Sequence, residues 1–246
     1  MVVNCFQLLT QLVMDNMKAV TTFSKQNYDD YARKLLESAK LWPDTLIAYV
    51  EEPLKDYENV EYRDFWGIEL PGKVKIADYL KEIKKMGLDG GDPYDYNKDV
   101  YKFCRKVFVQ YDFLKNLKER AFWLDADIQI KKPIQIDFLN SLFDGWPICY
   151  LGRNGFYSEC SFVGFDMSKK EMVQFLADYT SLFTTGVITN LKWWHDCAAF
   201  DFARQKHSYF GSNLSKFYEP GRGLHVFPDS VLGEYMTHNK GQRKYR

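Results

Sequence analysis

The sequence predicts an α/β fold built on a mostly parallel sheet with helices packed against it. Short β-prone runs alternate with amphipathic helical stretches from the start of the chain's regular part. Near mid-chain the apolar run Ala121-Phe122-Trp123-Leu124 breaks off into Asp125-Ala126-Asp127, the pattern of a buried strand ending at a ligand-binding edge. Of 246 residues, 46% are hydrophobic, enough for a substantial core. No internal repeat or low-complexity linker divides the chain. The expected organisation is one domain over residues 17–246, preceded by an N-terminal extension, residues 1–16.

The elements follow in order. Ala19-Val20-Thr21-Thr22-Phe23 is a β-prone run closed by polar residues 24–27. Tyr28, Tyr31, Ala32, Leu35, Leu36 and Ala39 recur at helical spacing until Trp42-Pro43 stops the helix. Residues 45–50 form a second apolar strand, and strand, helix, strand at this pace argues for parallel pairing. Residues 74–86 read as helix and the glycine-containing 87–97 as loop. Val100, Phe103, Cys104, Val107, Phe108 and Tyr111 mark an amphipathic helix before the strand at 121–124. Later strands are expected at 148–151 and 161–165, and helices at 169–183 and 193–205.

Composition narrows the function classes. Formal net charge is zero, so the whole molecule has no strong pull towards nucleic acid or anionic lipid, although Lys240, Arg243, Lys244 and Arg246 make a local basic patch. Aromatic residues reach 17%, which suits an aromatic-rich core and also a sugar-handling surface. The five cysteines (Cys5, Cys104, Cys149, Cys160 and Cys197) are widely spaced and include no CxxC pair. That argues against structural zinc and a disulfide framework, and favours a reducing compartment. No stretch reaches the ~20 apolar residues of a membrane-spanning helix. The apolar beginning lacks the basic region and cleavage site of a signal peptide, so the expected location is cytoplasmic.

The chemistry-bearing motif is Asp125-Ala126-Asp127. Two carboxylates flanking a small residue repel each other unless a cation lies between them, and oxygen ligands suit Mn²⁺ or Mg²⁺. The bland alternative is a solvated turn after an edge strand. A second motif lies far downstream: His238, Gly241 and Lys244 in the spacing H-x-x-G-x-x-K. An imidazole can complete the ligand set of a metal held by two aspartates. Glycine lets backbone approach a phosphate, and lysine brings it a compact positive charge. Alone, this segment would be a basic tail.

The two motifs, in this order, resemble those of the GT-A glycosyltransferases related to glycogenin and the bacterial lipopolysaccharide galactosyltransferases (glycosyltransferase family 8). The first strand's TTFS and the W-L-D-A-D run also resemble uncharacterised phage and bacterial sugar-transferase-like proteins. The resemblance implies a GT-A fold, Mn²⁺ (or Mg²⁺) bound by Asp125, Asp127 and His238, and nucleotide-diphosphate contacts from Asp125, Ala126, Gly241 and Lys244. The chain departs from the family pattern after Lys244, where Tyr245-Arg246 replaces Pro-Trp.

The same resemblance implies further roles. Thr21, Thr22 and Phe23 correspond to the edge that receives the nucleoside, the alternative being a plain strand terminus. Lys106, or Arg105, lies one helix before the metal strand, where related enzymes place a cation, and a solvated helix face is the alternative. Arg153 and Glu159 fall where such folds build the donor-sugar pocket. Asp196, in Trp193-Trp194-His195-Asp196-Cys197, loosely matches the element that contacts donor and acceptor. Asp196 and Glu159 are therefore the expected catalytic carboxylates, whereas His207 and His225 have no identifiable partner.

The reaction implied is transfer of a glycosyl group from a nucleoside diphosphate sugar, with UDP favoured, to a carbohydrate or glycan hydroxyl, with retention favoured. Two alternatives stay open. A haloacid-dehalogenase-like phosphatase also uses DxD, but Gln129 stands where its motif has Thr or Val. A non-catalytic nucleotide-sugar-binding protein would keep the fold and the site.

Overall fold

Apolar runs of five or six residues are at home in a sheet covered on both faces. The computed structural model of the chain describes residues 17–208, 211–215, 225–239 and 241. Strand β1 (Lys18–Phe23) leads into a composite helical segment. It comprises α1 (Lys25–Asn27), a π-helical turn over Tyr28–Ala32, α2 (Arg33–Ser38) and a 3-10 turn over Ala39–Leu41. The sequence reading expected one regular helix here. The π turn is confined to five residues, Tyr28–Ala32, too short a stretch for the spacing of apolar residues to reveal a change in hydrogen bonding.

Strand β2 (Leu46–Val50) is buried throughout, and β3 (Val60–Asp64) follows it. A small antiparallel pair, β4 (Glu69–Leu70) and β5 (Val74–Lys75), introduces α3 (Ile76–Lys85). Helix α4 (Val100–Leu114) starts at Asp99, whose carboxylate accepts the Lys102 N–H at 2.8 Å. Then come β6 (Arg120–Leu124), β7 (Ile128–Ile130), α5 (Ile136–Ser141), β8 (Ile148–Arg153) and β9 (Phe156–Asp166). Helices α6 (Glu171–Thr184) and α7 (Asp196–Lys206), then strands β10 (Ser212–Asn213) and β11 (Met236–His238), complete the described elements.

Seven strands form the central sheet in the order β10-β8-β9-β6-β1-β2-β3, with β6 in the middle. Pairing is parallel except along β9, which runs against both β6 and β8. Helices flank both faces, giving the mixed α/β class that the alternation of runs predicts. Strand β6 divides its side chains between two cores. Ala121 and Trp123 join Phe103, Val107, Phe108, Phe175 and Phe183 from α4 and α6. Phe122 and Leu124 join Leu35, Leu36, Trp42, Leu139 and Met236 on the other side. Gly164 is where β9 passes these rings. A Cβ there would lie 2.5 Å from Cys149 Sγ and 2.9 Å from both Phe122 and Phe143, so only glycine fits without displacement.

Two local features position the site. Strand β11 pairs antiparallel with β7, setting His238 opposite Ile128, and Asn239 N–H donates to the Asp127 carbonyl at 2.9 Å. Strand β9 also carries a bulge. Tyr150 pairs with Val163 but the next residue, Leu151, pairs with Glu159, so Cys160, Ser161 and Phe162 are passed over on the β8 side. Among the described residues, no helix is long and apolar enough to cross a membrane.

Candidate functional site

Strand β6 ends against the bulge: the Asp125 N–H donates to the Ser161 carbonyl at 2.8 Å. The chain then turns, with Ile128 N–H donating back to Asp125 C=O at 3.0 Å. Ala126, at the middle of this turn, is buried and keeps the two carboxylates close. One oxygen of Asp125 accepts from Lys106 Nζ at 2.8 Å and from Trp123 Nε1 at 2.7 Å. Asp127 Oδ1 lies 3.1 Å from His238 Nε2, brought there by the β7–β11 pairing. Asp125, Asp127 and His238 can each offer a ligand atom, all within 4.8 Å of one another.

His238 is held from behind as well. Its Nδ1 lies 2.7 Å from Glu159 Oε1, and the same oxygen meets His225 Nδ1 at 3.0 Å. The two imidazoles pack edge to face with centroids 5.1 Å apart. Burial alone would keep His238 neutral, but hydrogen bonds to Asp127 and Glu159 win and push its pKa up to about 9. No sequence signal linked Glu159 to either histidine, because 66 and 79 residues separate them. The fold thus supplies His225 with the partner that the sequence could not show.

Lys106 bridges the other half of the site. Its ammonium lies 2.8 Å from Asp125 and 2.8 Å from Asp196, and donates to the Cys160 carbonyl at 2.6 Å. It also sits over the Trp123 ring, 5.0 Å from the centroid. Burial opposes its charge, yet the two carboxylates hold its pKa well above the usual lysine value. Asp196 shows the converse: burial would raise its pKa, and Lys106 lowers it below the usual carboxylate range. His195 is the N-cap of α7, its Nδ1 accepting the Ala198 N–H at 3.1 Å. Cys197 follows Asp196, and its thiol is lowered to about 6, chiefly by a hydrogen bond with Cys160.

The remaining expected residues are placed less centrally. The β1–β6 register, with Val20 opposite Trp123, carries Thr21, Thr22 and Phe23 towards the edge where Asp125 lies. Thr21 is fully buried, and the Thr22 hydroxyl donates to Tyr49 C=O at 2.9 Å. Phe23 stacks on Tyr28 with centroids 6.3 Å apart. Arg105 turns away from the aspartates to pair with Glu51 and lie over Phe65, and burial brings its pKa down to about 10. Arg153 reaches the Ser158 carbonyl at 3.1 Å, stapling the β8–β9 hairpin beside a cleft of about 420 Å³ that also touches Asp201 and Asn213. His207 pairs with Asp178 at 3.0 Å, remote from the histidine cluster. Gly241 has a left-handed backbone, φ 64°, open to glycine and strained for other residues. Lys244 and residues 1–16 lie outside the described residues.

No protein-family model matches the chain, and no curated protein sequence does. Among solved structures, it is similar to mouse xyloside xylosyltransferase 1 in its apo form. The two share 12% identity with a TM-score of 0.48, and the match covers 78% of this chain and 83% of that one.

The donor set fits a divalent ion. Carboxylate oxygens plus one imidazole suit Mn²⁺, and suit Mg²⁺ if water fills most other positions. Asp125, Asp127, Glu159 and Asp196 set four carboxylates against the Lys106 ammonium and the His238 imidazolium, so the site carries surplus negative charge. The carboxylate behind His238 has the arrangement that fixes ring orientation in metal-bound histidines.

Proposed function

We propose that the chain is a metal-dependent GT-A glycosyltransferase. It would take a nucleoside diphosphate sugar, UDP-linked by preference, and pass the sugar to a hydroxyl of a carbohydrate or glycan acceptor. The observation that carries this reading is the meeting of Asp125, Asp127 and His238 at the end of β6 from segments over a hundred residues apart. The order of motifs that resembles family 8 calls for this meeting, whereas a solvated turn and a basic tail do not.

A bound Mn²⁺ or Mg²⁺ would act as Lewis acid for the departing diphosphate. The chain's own residues do the rest. Asp125 and Asp127 hold the ion's place, with Lys106 fixing Asp125 and Glu159 fixing His238. Gly241 allows backbone to approach the phosphates, and Lys244 would add positive charge there. Thr22 and Phe23 would border the proposed nucleoside edge, with Thr21 buried behind them, Ala126 would face the diphosphate and Arg153 the sugar side. Glu159 is buried behind two imidazoles, which suits positioning rather than proton transfer to an acceptor.

Asp196 bears on stereochemistry. An inverting reaction needs a base with a pKa near the working pH. Asp196 is instead held ionised by Lys106, so it is a weak base, and this favours the retaining course.

The test is release of UDP from UDP-sugars with and without Mn²⁺, alongside a thermal-shift series. The expected result is Mn²⁺-dependent release that Asp127→Asn abolishes. Stabilisation by UDP and Mn²⁺ together without turnover across a donor and acceptor panel would instead indicate a binding protein. Equal release in chelator, or in Asp127→Asn, overturns the proposal.

A further inference from the structure

A second reactive cluster lies on the Asp196 side of Lys106, opposite the candidate metal ligand Asp125. Cys160 sits in the β9 bulge, and Cys197 lies in the first turn of α7, which packs on β9. Their two sulfurs and an Asp196 carboxylate oxygen all lie within 4.8 Å of one another. Cys104 and Cys149 differ. Each is fully buried, in separate cores on opposite faces of the sheet, with its thiol pushed up by burial.

We propose that Cys160 and Cys197 form an oxidisable dithiol, a modification site for hydrogen peroxide at which Cys197 is attacked first and Cys160 resolves it. This inference stands apart from the glycosyl-transfer reading.

Three observations carry it. The sulfurs come from different elements, β9 and α7, yet lie within 4.8 Å of each other, close enough for side-chain rotation to bring them towards bonding distance. Cys197 is the more exposed of the two residues, being partly buried, whereas Cys160 is 3% exposed. Cys197 also sits among groups that favour thiolate, namely the Cys160 and His195 hydrogen bonds and the Lys106 ammonium, against burial and Asp196.

The same cluster could be read as a thiophilic metal site. Retention of such a metal is therefore one of the outcomes the test below separates.

The chemistry balances without further reactants. The Cys197 thiolate attacks one peroxide oxygen and the O–O bond breaks. Hydroxide leaves and takes up a proton as water, and Cys197 becomes a sulfenic acid. The Cys160 sulfur, losing its proton, then attacks the Cys197 sulfur. The S–O bond breaks, and hydroxide leaves with that proton as a second water. Two thiols are oxidised to one disulfide, and one peroxide is reduced to two waters.

The test uses the full wild-type chain, reduced, freed of reductant and exposed to peroxide. Remaining thiols are alkylated before non-reducing peptide mapping. The expected product is two hydrogens lighter, carries a cross-link between the Cys160 and Cys197 peptides, and reverts with dithiothreitol. Cys160→Ser should stop at a sulfenic acid on Cys197 that dimedone traps, and Cys197→Ser should leave Cys160 alkylatable. A cross-link that forms only in urea overturns the proposal. So does native Cys197 that stays unreacted, or goes on to sulfinic acid without a cross-link. Retention of one Zn²⁺ that shields both thiols would replace it with a metal site. Mapping the wild-type protein keeps the test decisive even if a serine variant folds poorly.

Discussion

Asp127 and His238 do their proposed work only as a pair, so each should fail differently when removed. Asp127→Asn should abolish Mn²⁺ binding in calorimetry, whereas His238→Ala should weaken it without unfolding the protein. Glu159→Gln should lower metal affinity by about 10–100-fold, the usual effect of disturbing a partner behind a ligand histidine. Unchanged affinity would mean that the Glu159 contact is structural only.

The pKa of His238 sets the pH response. Raised from 6.5 to about 9 in the metal-free protein, the imidazolium contributes stability that is full below 6.5 and is lost as pH rises through about 9. A ligand imidazole must be neutral, so metal binding expels this proton. Apparent Mn²⁺ affinity should therefore fall by roughly tenfold per pH unit on acidification below about 9. Calorimetry in two buffers of different ionisation enthalpy should register close to one proton released per ion at neutral pH, and no release would contradict the assignment.

Lys106 has a larger structural stake. Lys106→Met strands Asp125 and Asp196 beside each other, and breaking such a buried pair costs about 3–5 kcal/mol in urea unfolding. His238 and the aspartates were legible residue by residue, because each belongs to a short motif. The pairs Glu159–His225 and Cys160–Cys197 were not, since nothing local in either segment encodes the other.

At the level of elements, the strands with continuous apolar runs were readable because burial on both faces leaves no other pattern. Strands β1, β2, β6 and β8 fall where the sequence places them, and so do α3, α4, α6 and α7 within a few residues. Strand β9 is longer than the expected 161–165, since its first half is polar and takes its order from β8 and α7. The three-residue β7 and β11 escaped notice because each is stabilised by a partner over a hundred residues away. Gly164 offers a test of how tightly β9 packs. Gly164→Ala should cost about 1–3 kcal/mol, since its Cβ meets the Cys149 thiol on β8, the Phe122 ring on β6 and the Phe143 ring in the α5–β8 connection. Wild-type stability would show that the sheet yields at that point.

For the molecule as a whole, the start of β1 is anchored to a distant segment. Met17 is 1% exposed and its carbonyl accepts the Trp42 indole N–H at 2.5 Å, tying the start of β1 to the composite helical segment. A chain beginning at Met17 should therefore retain Mn²⁺-dependent nucleotide binding by thermal shift, whereas one beginning after it should melt earlier. Loss of binding in the chain that begins at Met17 would assign residues 1–16 a part in the site. The pairing of β11 with β7 also gives the site an order in time. Strands β1 to β7 are synthesised and can begin to pair while His238 does not yet exist. At about 5–20 residues per second, the 111 residues between Asp127 and His238 (238 − 127) take about 6–22 s to make. Throughout that interval a growing chain would carry the two aspartates without their imidazole, so competence to hold the proposed ion would arrive only once His238 has been made.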